Sequence, residues 1–427
     1  MNNSRLPTRR SFFARYWKQI LIFFSVFGPA TITAMADNDA SGVATYAVAG
    51  AKLGYPILFL LLIVTLLLGI TQEMGIRLSV VTRMGLADLI REKFGVKASL
   101  FIFAALLIAN MGILVVDAAA VEVTAQIFHI PSAPAVILVI AIAYIVVVKG
   151  NYKFTQYFML FTCLFFLVYI FSAVKAHPDW NLAFGNLLYP HGVKITSQYL
   201  RDFLIIGMGV LGTTVTSWGQ FFISSFSTDK KMEKGKINYS QFEAYWGAFL
   251  TDFFSFFMIV ATAATLFVHG IALESGTQAA LAIEPFAGRL AGTLFGIGIL
   301  NAGFMGLVVV SLSTAYAFAE FFGVPGSLDD GYKKSKTFYI MYLFQLILAG
   351  VIVLFPQVSL FQIIIATQVI SAFTLPPIFY YLIRFTNDRK LMGQFVNNAF
   401  QKYFSIICTI LIVIASLFTL ATLFIKF

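Results

Sequence analysis

Residues 27–54 read FGPATITAMADNDASGVATYAVAGAKLG, an apolar stretch that residues 37–39 (Asp-Asn-Asp) interrupt near its middle. Two acids and an amide inside an apolar span are costly unless they face protein or water, and such residues also favour non-helical conformations. The apolar pieces on either side, 20–35 and 43–54, are each too short to cross a bilayer, because a spanning helix needs about 20 residues. We therefore predict one membrane span over 19–51 that unwinds near its middle; the alternative is a loop joining two shorter spans.

The composition of the whole chain places it in a membrane. Of its 427 residues, 59% are apolar, 16% are aromatic and 11% are charged, and the mean hydropathy is +0.87. Soluble domains average about 25% charged residues, so this chain could not solvate the surface of a soluble fold. A cytosolic globular enzyme, a nucleic-acid-binding protein and a disordered chain are thereby excluded. Long unbroken apolar runs favour a helical membrane protein over a β-barrel.

Eleven membrane spans are predicted from runs of about 20 mostly apolar residues. With the amino terminus in the cytoplasm, 22 of the 29 Lys and Arg residues fall on inner segments and six on outer segments, which fits the positive-inside rule. We predict a cytoplasmic tail (1–18), a single transmembrane domain (19–427) in the plasma (inner) membrane and an outer carboxyl terminus. The predicted spans are 19–51, 55–82, 99–128, 133–149, 154–174, 199–227, 239–269, 290–321, 336–355, 358–383 and 403–426.

A second interruption lies in span six, where residues 207–220 read GMGVLGTTVTSWGQ, with four glycines and four hydroxyl side chains in fourteen residues. Small residues also serve close helix packing, so this motif alone leaves two interpretations open. Spans one and six are five apart, as the first helices of two five-helix repeats would be, and an odd number of helices makes such repeats inverted. Interrupted spans at matching places predict a transporter site at the membrane midplane. The repeats would cover 19–174 and 199–383, with an extra helix at 403–426.

Other polar side chains inside the spans could serve either structure or transport, and each is considered separately. Glu73 and Arg77 are four residues apart and are predicted to form a structural pair on one helix face. Asp117 and Asp252 either line a vestibule or tie helices together. Gln368 is either an oxygen donor near mid-span or a group that bonds one helix to another. The cysteines are expected to be inert thiols, and the histidines fall at span ends or in outer loops: Cys163 and Cys408; His129, His177, His191 and His269.

These motifs resemble those of the Nramp family of divalent-metal transporters. The resemblance begins with Gly28-Pro29 and continues through residues 39–45 (DASGVAT), 49–51 (AGA) and 54–55 (GY). It takes in span six and ends with residues 386–393 (TNDRKLMG), so it covers most of the chain. It implies an all-α polytopic membrane protein of the leucine-transporter-type fold, with two inverted five-helix repeats plus an eleventh helix. It also implies broken helices one and six, with metal bound between their unwound parts.

This sequence departs from the Nramp pattern at positions where the family has its metal ligands. The family's Asp-Pro-Gly-Asn of helix one is DASG here, so Asp39 keeps the aspartate and Gly42 replaces the asparagine. In helix six, Thr216 stands where the family has methionine and Trp218 where it has histidine. Thioether ligands select softer transition metals, whereas sites built of oxygen suit Mg²⁺ and Mn²⁺. The pattern resembles the Nramp-related magnesium transporter branch, which is thought not to couple transport to protons.

The sequence therefore predicts a transporter, not an enzyme, that imports Mg²⁺, and Mn²⁺ as well, by alternating access. The membrane potential supplies about 2.3 kcal/mol per charge per 100 mV, and roughly twice that for a divalent ion, so no proton partner is needed. The expected partners are the ion, as substrate, and the lipid bilayer, with no cofactor, no nucleic acid and a monomeric state. The predicted metal site comprises Asp39, Asn38, Asp37, Gly42, Thr213, Thr216 and Gln368. In this prediction Asp39 comes first and supplies the ligand charge, the two threonines and Gln368 supply neutral oxygens, Asn38 shapes the site, and Gly42 leaves room for a water that the ion retains.

Two alternative functions stay open at this point. A proton-coupled manganese or iron symporter would need Asp37 or Asp117 in place of the missing histidine. An amino-acid or other organic-solute transporter of the same fold is disfavoured by the acids of residues 37–39. A substrate carboxylate prefers exposed backbone amides without adjacent anions.

Overall fold

The computed structural model describes residues 27–271, 273, 279–355 and 360–424, without the side chains of 281, 360–370, 372, 373, 415 and 418–424. This described part contains helices and connecting turns and no strand. The helices are α1 (Pro29–Ala36), α2 (Ala40–Leu53), α3 (Leu58–Thr82), α4 (Leu86–Ile127), α5 (Ser132–Tyr144), α6 (Tyr152–Cys163), α7 (Leu167–Lys175), α8 (Trp180–Leu188), α9 (Ser197–Thr214), α10 (Ser217–Asp229), α11 (Ile237–Thr262), α12 (Ala279–Ala287), α13 (Arg289–Phe322), α14 (Gly331–Lys334), α15 (Lys336–Leu354), α16 (Leu360–Asn387), α17 (Arg389–Met392) and α18 (Ala399–Phe424).

Seven continuous helical runs are long and apolar enough to cross a membrane, and each falls on a predicted span. The other four predicted spans fall on α1 with α2, on α9 with α10, on α16 and on α18. Residues 19–26 of span one, 358–359 of span ten and 425–426 of span eleven lie outside the described residues. The protein is therefore a multi-pass helical membrane protein. The seven runs are Tyr55–Thr82, Leu86–Ile127, Ser132–Lys149, Tyr152–Lys175, Lys234–Phe267, Arg289–Phe322 and Lys336–Leu354.

The connections between spans hold more helix than the sequence predicts. Span three is predicted to begin at residue 99, but α4 begins at Leu86, and Gly95, with a φ of +81°, bends it before its apolar part. The connection between spans five and six contains α8, which begins after Asp179. The Asp179 side chain accepts a hydrogen bond from the Leu182 amide at 3.0 Å and so caps this helix. The helix has nine residues, which is too short to be recognised as a membrane span from hydropathy.

Large apolar side chains cover the outer faces of α5, α6 and α7. Ile137, Leu138, Phe154, Phe161 and Phe171 are each at least half exposed in the isolated chain. Apolar surface of this extent is unfavourable in water at about 25 cal/mol per Å², whereas lipid tails solvate it. These three helices therefore form a lipid-facing surface of the molecule.

The two longest helices, α4 and α13, pack closely behind the interrupted first helix. Asn110 Nδ2 of α4 donates to Thr314 Oγ1 of α13 at 2.7 Å. Gly303 and Gly306 of α13 face Asp117 of α4, and a Cβ at Gly303 would lie 2.6 Å from the Asp117 carbonyl oxygen. Small residues allow helix backbones to approach in this way. The pair α4 and α13 thus forms a rigid support beside α2.

The predicted pairing of Glu73 and Arg77 is confirmed. Arg77 Nε lies 2.7 Å from Glu73 Oε1, and both side chains are buried. Arg77 also donates to the Phe395 carbonyl at 2.5 Å, and Glu73 accepts from Gln241 at 2.6 Å and from Gln401 at 2.9 Å. The pair therefore joins α3 to α11 and to the segment that enters α18.

Alanine in place of Arg77 is expected to lower the free energy of unfolding by about 3–5 kcal/mol, because Glu73 would remain buried without its cation. Thermal unfolding of the detergent-solubilised protein measures this loss. Lys236→Ala is the control: Lys236 pairs with Glu233 at 3.5 Å, but the two side chains are 35% and 70% exposed, and such a pair contributes under about 1 kcal/mol. Equal losses for the two variants would contradict the structural role assigned to the buried pair.

Candidate metal site

Helix one breaks between α1 and α2, at residues 37–39. Asp39 has extended backbone angles (φ −60°, ψ 178°) and is the N-cap of α2. Its Oδ1 accepts hydrogen bonds from the Gly42 amide at 2.8 Å and from the Ser41 hydroxyl at 2.7 Å. An N-cap aspartate satisfies backbone donors that the first helical turn leaves unpaired. Asp39 therefore fixes where α2 begins.

Helix six breaks in the same way, at Val215 and Thr216 between α9 and α10. Thr216 is extended (φ −81°, ψ 150°) and is the N-cap of α10, where its hydroxyl accepts from the Gly219 amide at 3.1 Å. Both predicted interruptions are confirmed. In each helix a side chain of the predicted site caps the half-helix that follows the break.

The two breaks meet at Asp37. The Thr216 hydroxyl donates to Asp37 Oδ1 at 2.7 Å. Thr213 approaches the same place from the end of α9, since its Oγ1 would lie 3.3 Å from a Cβ built on Gly42. Asp37 Oδ2 is buried and has no hydrogen-bond partner among the described residues. A buried carboxylate oxygen without a partner is unfavourable unless a cation, a water or a proton satisfies it.

The described members of this cluster are closed to solvent. Asp37 and Asp39 are each 1% exposed, Asn38 is 0%, Thr213 is 3% and Thr216 is 5%. The site is therefore occluded in this conformation. Gln368, the remaining predicted ligand, lies in α16, and its side chain is outside the described part of the structure.

Asn38 faces α11 in this conformation. Its Nδ2 donates to the Thr251 carbonyl at 3.0 Å, and its Oδ1 accepts from the Ser255 hydroxyl at 2.9 Å. Both polar groups of the amide are therefore engaged by one turn of α11. Asn38 holds the unwound backbone of helix one against α11 and so sets the position of Asp37.

Gly42 allows a close backbone approach rather than opening a space. A Cβ at this position would lie 2.5 Å from the Asp37 carbonyl oxygen, so any side chain would force the two turns of helix one apart. Gly42 is predicted to belong to the site because it stands in place of a family ligand and leaves room for a water. In this conformation its contribution is to let the carbonyl of Asp37 turn back over the first turn of α2.

Alanine in place of Gly42 is expected to lower the transport rate about tenfold, equivalent to about 1.4 kcal/mol in the barrier. The added methyl group would push against a backbone oxygen, which cannot move aside as a flexible side chain can. Gly235→Ala is the control, because a Cβ there has nothing within 4 Å. Uptake into proteoliposomes at matched protein content measures both. An unchanged rate for Gly42→Ala would show that this close approach has no role in transport.

The two acids with open interpretations, Asp117 and Asp252, both contact other helices. Asp117 Oδ1 accepts from the Ala40 amide at 3.0 Å, so α4 supplies a second carboxylate to the first turn of α2. Asp252 Oδ2 of α11 accepts from the Thr65 hydroxyl of α3 at 2.6 Å. Each carboxylate also has one buried oxygen without a hydrogen-bond partner among the described residues. A role in tying helices together therefore explains one oxygen of each carboxylate and leaves the other oxygen unexplained.

Glu243 supports the broken first helix, and no motif in the sequence singles it out. Its Oε1 accepts from the Gly28 amide at 2.6 Å and the Thr31 amide at 3.1 Å, so a carboxylate of α11 caps the amino terminus of α1. Lys230 Nζ and Gln156 Nε2 both donate to the Phe27 carbonyl, at 2.9 and 2.5 Å. Glu243 could have been found from its place inside predicted span 239–269, because an acid within a span is a candidate functional residue by default.

The side-chain atoms at the breaks that could ligate a metal ion are oxygens of Asp37, Thr213 and Thr216. Among the described residues, no three His, Cys, Asp or Glu side chains lie close enough together to form a metal cage. The cluster offers instead one carboxylate with a free oxygen, two threonine hydroxyls and unwound backbone carbonyls. Such a set suits a hard cation that keeps part of its water shell.

Two broken helices that meet at a buried carboxylate define the protein as a membrane transporter of the leucine-transporter type. A crystal structure of a point mutant of the manganese transporter of Eremococcus coleocola has a TM-score of 0.75 at 18% identity, covering 99% of this chain and 90% of that chain. MhsT in complex with L-phenylalanine has a TM-score of 0.58 at 14% identity, covering 92% and 98%. These likenesses confirm the predicted fold of two inverted repeats plus an eleventh helix.

The particular family follows from the sequence comparison. The chain belongs to the Nramp family, since the family model described as natural resistance-associated macrophage protein-like matches residues 30–422. The divalent metal cation transporter MntH of Ralstonia nicotianae is 26% identical over 397 residues, which cover 90% of this chain and 86% of that protein. MntH of Nostoc sp. is 24% identical over 425 residues, covering 96% and 92%. The resemblance inferred from the motifs is confirmed.

Proposed function

We propose that this protein imports Mg²⁺, with Mn²⁺ as a second substrate, by alternating access and without proton coupling. The observation that carries the proposal is the Asp37 carboxylate, which bridges the two broken helices through Thr216 and keeps one buried oxygen free. Relatives named as divalent metal cation transporters support a divalent cation as the substrate. The oxygen-only donor set supports a hard ion, because soft metals are selected by thioether and thiolate ligands.

In the proposed site, the residues divide into those that face the ion and those that shape its surroundings. Asp37 supplies charge, and Thr213 and Thr216 supply neutral oxygens next to it. Asp39, Asn38 and Gly42 hold the unwound turn in place and add a second negative charge nearby. Gln368 completes the proposed set as an oxygen ligand from span ten. One or two carboxylates with several retained waters is the usual mode of Mg²⁺ binding.

The absence of proton coupling is proposed from the residue at the family's histidine position. Trp218 stands there, and its indole is fully buried and does not accept a proton. The membrane potential alone favours entry of a divalent ion by about 4.6 kcal/mol per 100 mV.

Proteoliposomes loaded with a magnesium-sensitive dye and a pH-sensitive dye test both parts of the proposal. We expect Mg²⁺ to enter under a negative-inside potential with no accompanying acidification. Acidification in step with ion entry would overturn the uncoupled mechanism and favour the proton-coupled manganese or iron symporter, in which Asp37 or Asp117 takes the proton. Saturable uptake of an amino acid that persists in the Asp39→Ala variant would favour an organic-solute transporter instead.

The arrangement in the membrane belongs to the same proposal. We propose a single transmembrane domain over 19–427, a monomer in the plasma (inner) membrane, with the tail 1–18 inside and the carboxyl terminus outside. The excess of Lys and Arg on the inner segments supports this orientation. A reporter fused after residue 427 that is active only in the periplasm or outside the cell tests it; activity in the cytoplasm would reverse the orientation.

A further inference from the structure

A groove runs between α16 and α18 on the outer surface of the molecule, away from the broken helices. Its volume is about 330 Å³, and its lining residues are Tyr380, Ile383, Arg384, Ile406, Thr409 and Ile410. Tyr380 is 51% and Ile410 is 53% exposed, so the groove is open along its length. The Thr409 hydroxyl donates to the Ser405 carbonyl of its own helix at 2.7 Å. Apart from Arg384, the groove therefore presents an apolar surface that lipid tails solvate well.

Arg384 lies at one end of this groove and is oriented by two aromatic side chains. Its Nη1 donates to the Tyr380 hydroxyl at 2.5 Å. Its guanidinium carbon lies 5.0 Å from the ring centroid of Phe94 and 5.8 Å from that of Tyr380. Arg384 is exposed, and no carboxylate among the described residues pairs with it. Most of its five N–H donors thus remain available in a fixed orientation, which suits a bidentate anion such as a phosphate.

The Arg384 end of the groove lies at the membrane surface. Asn397, just before α18, donates to the Thr386 carbonyl at 3.0 Å and to the Thr386 hydroxyl at 2.9 Å, which sets the start of α18 beside the last turn of α16. At 1.5 Å per residue, Arg384 lies about 3 Å deeper in the membrane than Thr386, at the depth of lipid headgroups. Ile406 and Ile410 follow on α18 about 10 Å and more below its start, at the depth of acyl chains.

The charge at the surface end of the groove is positive. Lys402 is exposed and stands one turn before Ile406, and residues four apart share a helix face, so a second cation lies on the groove side of α18. Within five positions of Arg384 and Lys402 in the sequence, the other charged residues are one acid and one base, Asp388 and Arg389. This excess of positive charge favours an anion and disfavours a metal ion. The groove therefore fits a molecule that is anionic at one end and apolar along the rest.

We propose that this groove binds an anionic phospholipid, with its phosphate on Arg384 and Lys402 and an acyl chain along the apolar face of α18. Basic pockets between spanning helices recognise anionic headgroups through the same chemistry. A zwitterionic lipid brings a phosphate as well, but its own cation is repelled by the two basic side chains, so the site discriminates by net charge. The proposal is independent of which ion the protein transports. In the proposed orientation, the bound lipid belongs to the cytoplasmic leaflet.

Native mass spectrometry of the full-length protein, delipidated in detergent and titrated with phosphatidylglycerol or phosphatidylcholine, tests this site. We expect one phosphatidylglycerol to bind with a Kd about tenfold below that of phosphatidylcholine. Arg384→Gln should abolish this preference, and Arg384→Lys should restore part of it, because lysine keeps the charge without the planar fork. Arg289→Gln, which removes an exposed cation at the start of α13, is the control and should leave both Kd values unchanged. Equal affinity of the wild type for the two lipids would overturn the proposal.

Thr409→Phe separates binding in the groove from attraction to surface charge, because it fills the groove and leaves every charge in place. We expect the Kd for phosphatidylglycerol to rise about tenfold. An unchanged Kd in Thr409→Phe, or a preference that survives Arg384→Gln, would rule out a lipid seated in this groove. Displacement of the bound lipid by millimolar inorganic phosphate would instead assign Arg384 to a free anion. Binding is measured without transport, so failure of this site and failure of the proposed transport function are distinguishable.

Discussion

Asparagine in place of Asp37 is expected to reduce Mg²⁺ uptake about 100-fold below saturation, a loss of about 2.8 kcal/mol in ion binding. The substitution preserves the size of the side chain, and an amide oxygen can still accept the Thr216 hydroxyl, so only the charge is lost. Mg²⁺ gives up water reluctantly and is held in proteins by one or two carboxylates, which makes that charge the main attraction. Initial rates in proteoliposomes at several Mg²⁺ concentrations measure the effect.

Two further variants separate the charge of Asp37 from its surroundings. Thr216→Val keeps the charge but removes a hydroxyl ligand and an N-cap, and we expect a loss of about tenfold. Asp330→Asn makes the same chemical change on an exposed acid and is expected to leave the rate unchanged. A rate for Asp37→Asn within about threefold of the wild type would remove Asp37 from the ion's coordination.

The effect of losing the charge should differ between Asp39 and Asp37. The sequence predicts Asp39 as the charged ligand, but in the structure its carboxylate caps α2, whereas that of Asp37 contacts Thr216 of the other broken helix. Asparagine is as good an N-cap as aspartate, so Asp39→Asn should retain the bond from the Gly42 amide. We expect a loss of about threefold, from the removal of a nearby charge alone. A larger effect at Asp39 than at Asp37 would show that Asp39 turns to face the ion in another conformation.

The existence of both breaks could be predicted because it depends on local composition. Acids, an amide and small residues in the middle of an apolar span disfavour the helix wherever the span lies in the molecule. Which acid reaches the partner helix could not be predicted. Helical periodicity orients side chains only while the helix continues, and it ends at Asp37, the last residue with helical backbone angles, whereas Asp39 is extended. The orientation of Asp37 is set by Thr216, 179 residues away in sequence.

The partners of the acids that support the site could not be predicted, because those partners lie on other helices. Glu243 caps α1 and Asp117 caps α2 across sequence separations of 215 and 77 residues, and neither belongs to a motif with fixed spacing. The pairing of Glu73 with Arg77 was predictable, because a spacing of four residues on one helix already places the two side chains together. Contacts within one helix can thus be read from the sequence, whereas contacts between helices require the fold.

Methionine in place of Thr216 is expected to raise the ratio of Cd²⁺ to Mg²⁺ uptake at least tenfold, or about 1.4 kcal/mol in relative binding. Thr216 occupies the family's methionine position, and its hydroxyl lies 2.7 Å from Asp37 Oδ1, so a side chain there reaches the ion's surroundings. A thioether binds soft ions and contributes little to Mg²⁺. The helix cap would be lost as well, at a cost of about 0.5–2 kcal/mol in stability, which lowers both rates together.

Because the ratio of the two rates cancels the amount of active protein, it isolates the change in ion preference from the loss of the cap. Thr228→Met, the same substitution near the other end of α10, is the matched control and should leave the ratio unchanged. An unaltered ratio in Thr216→Met with measurable uptake of both ions would place residue 216 outside the ion's reach. The preference for hard ions would then have to come from the size of the occluded space rather than from its ligands.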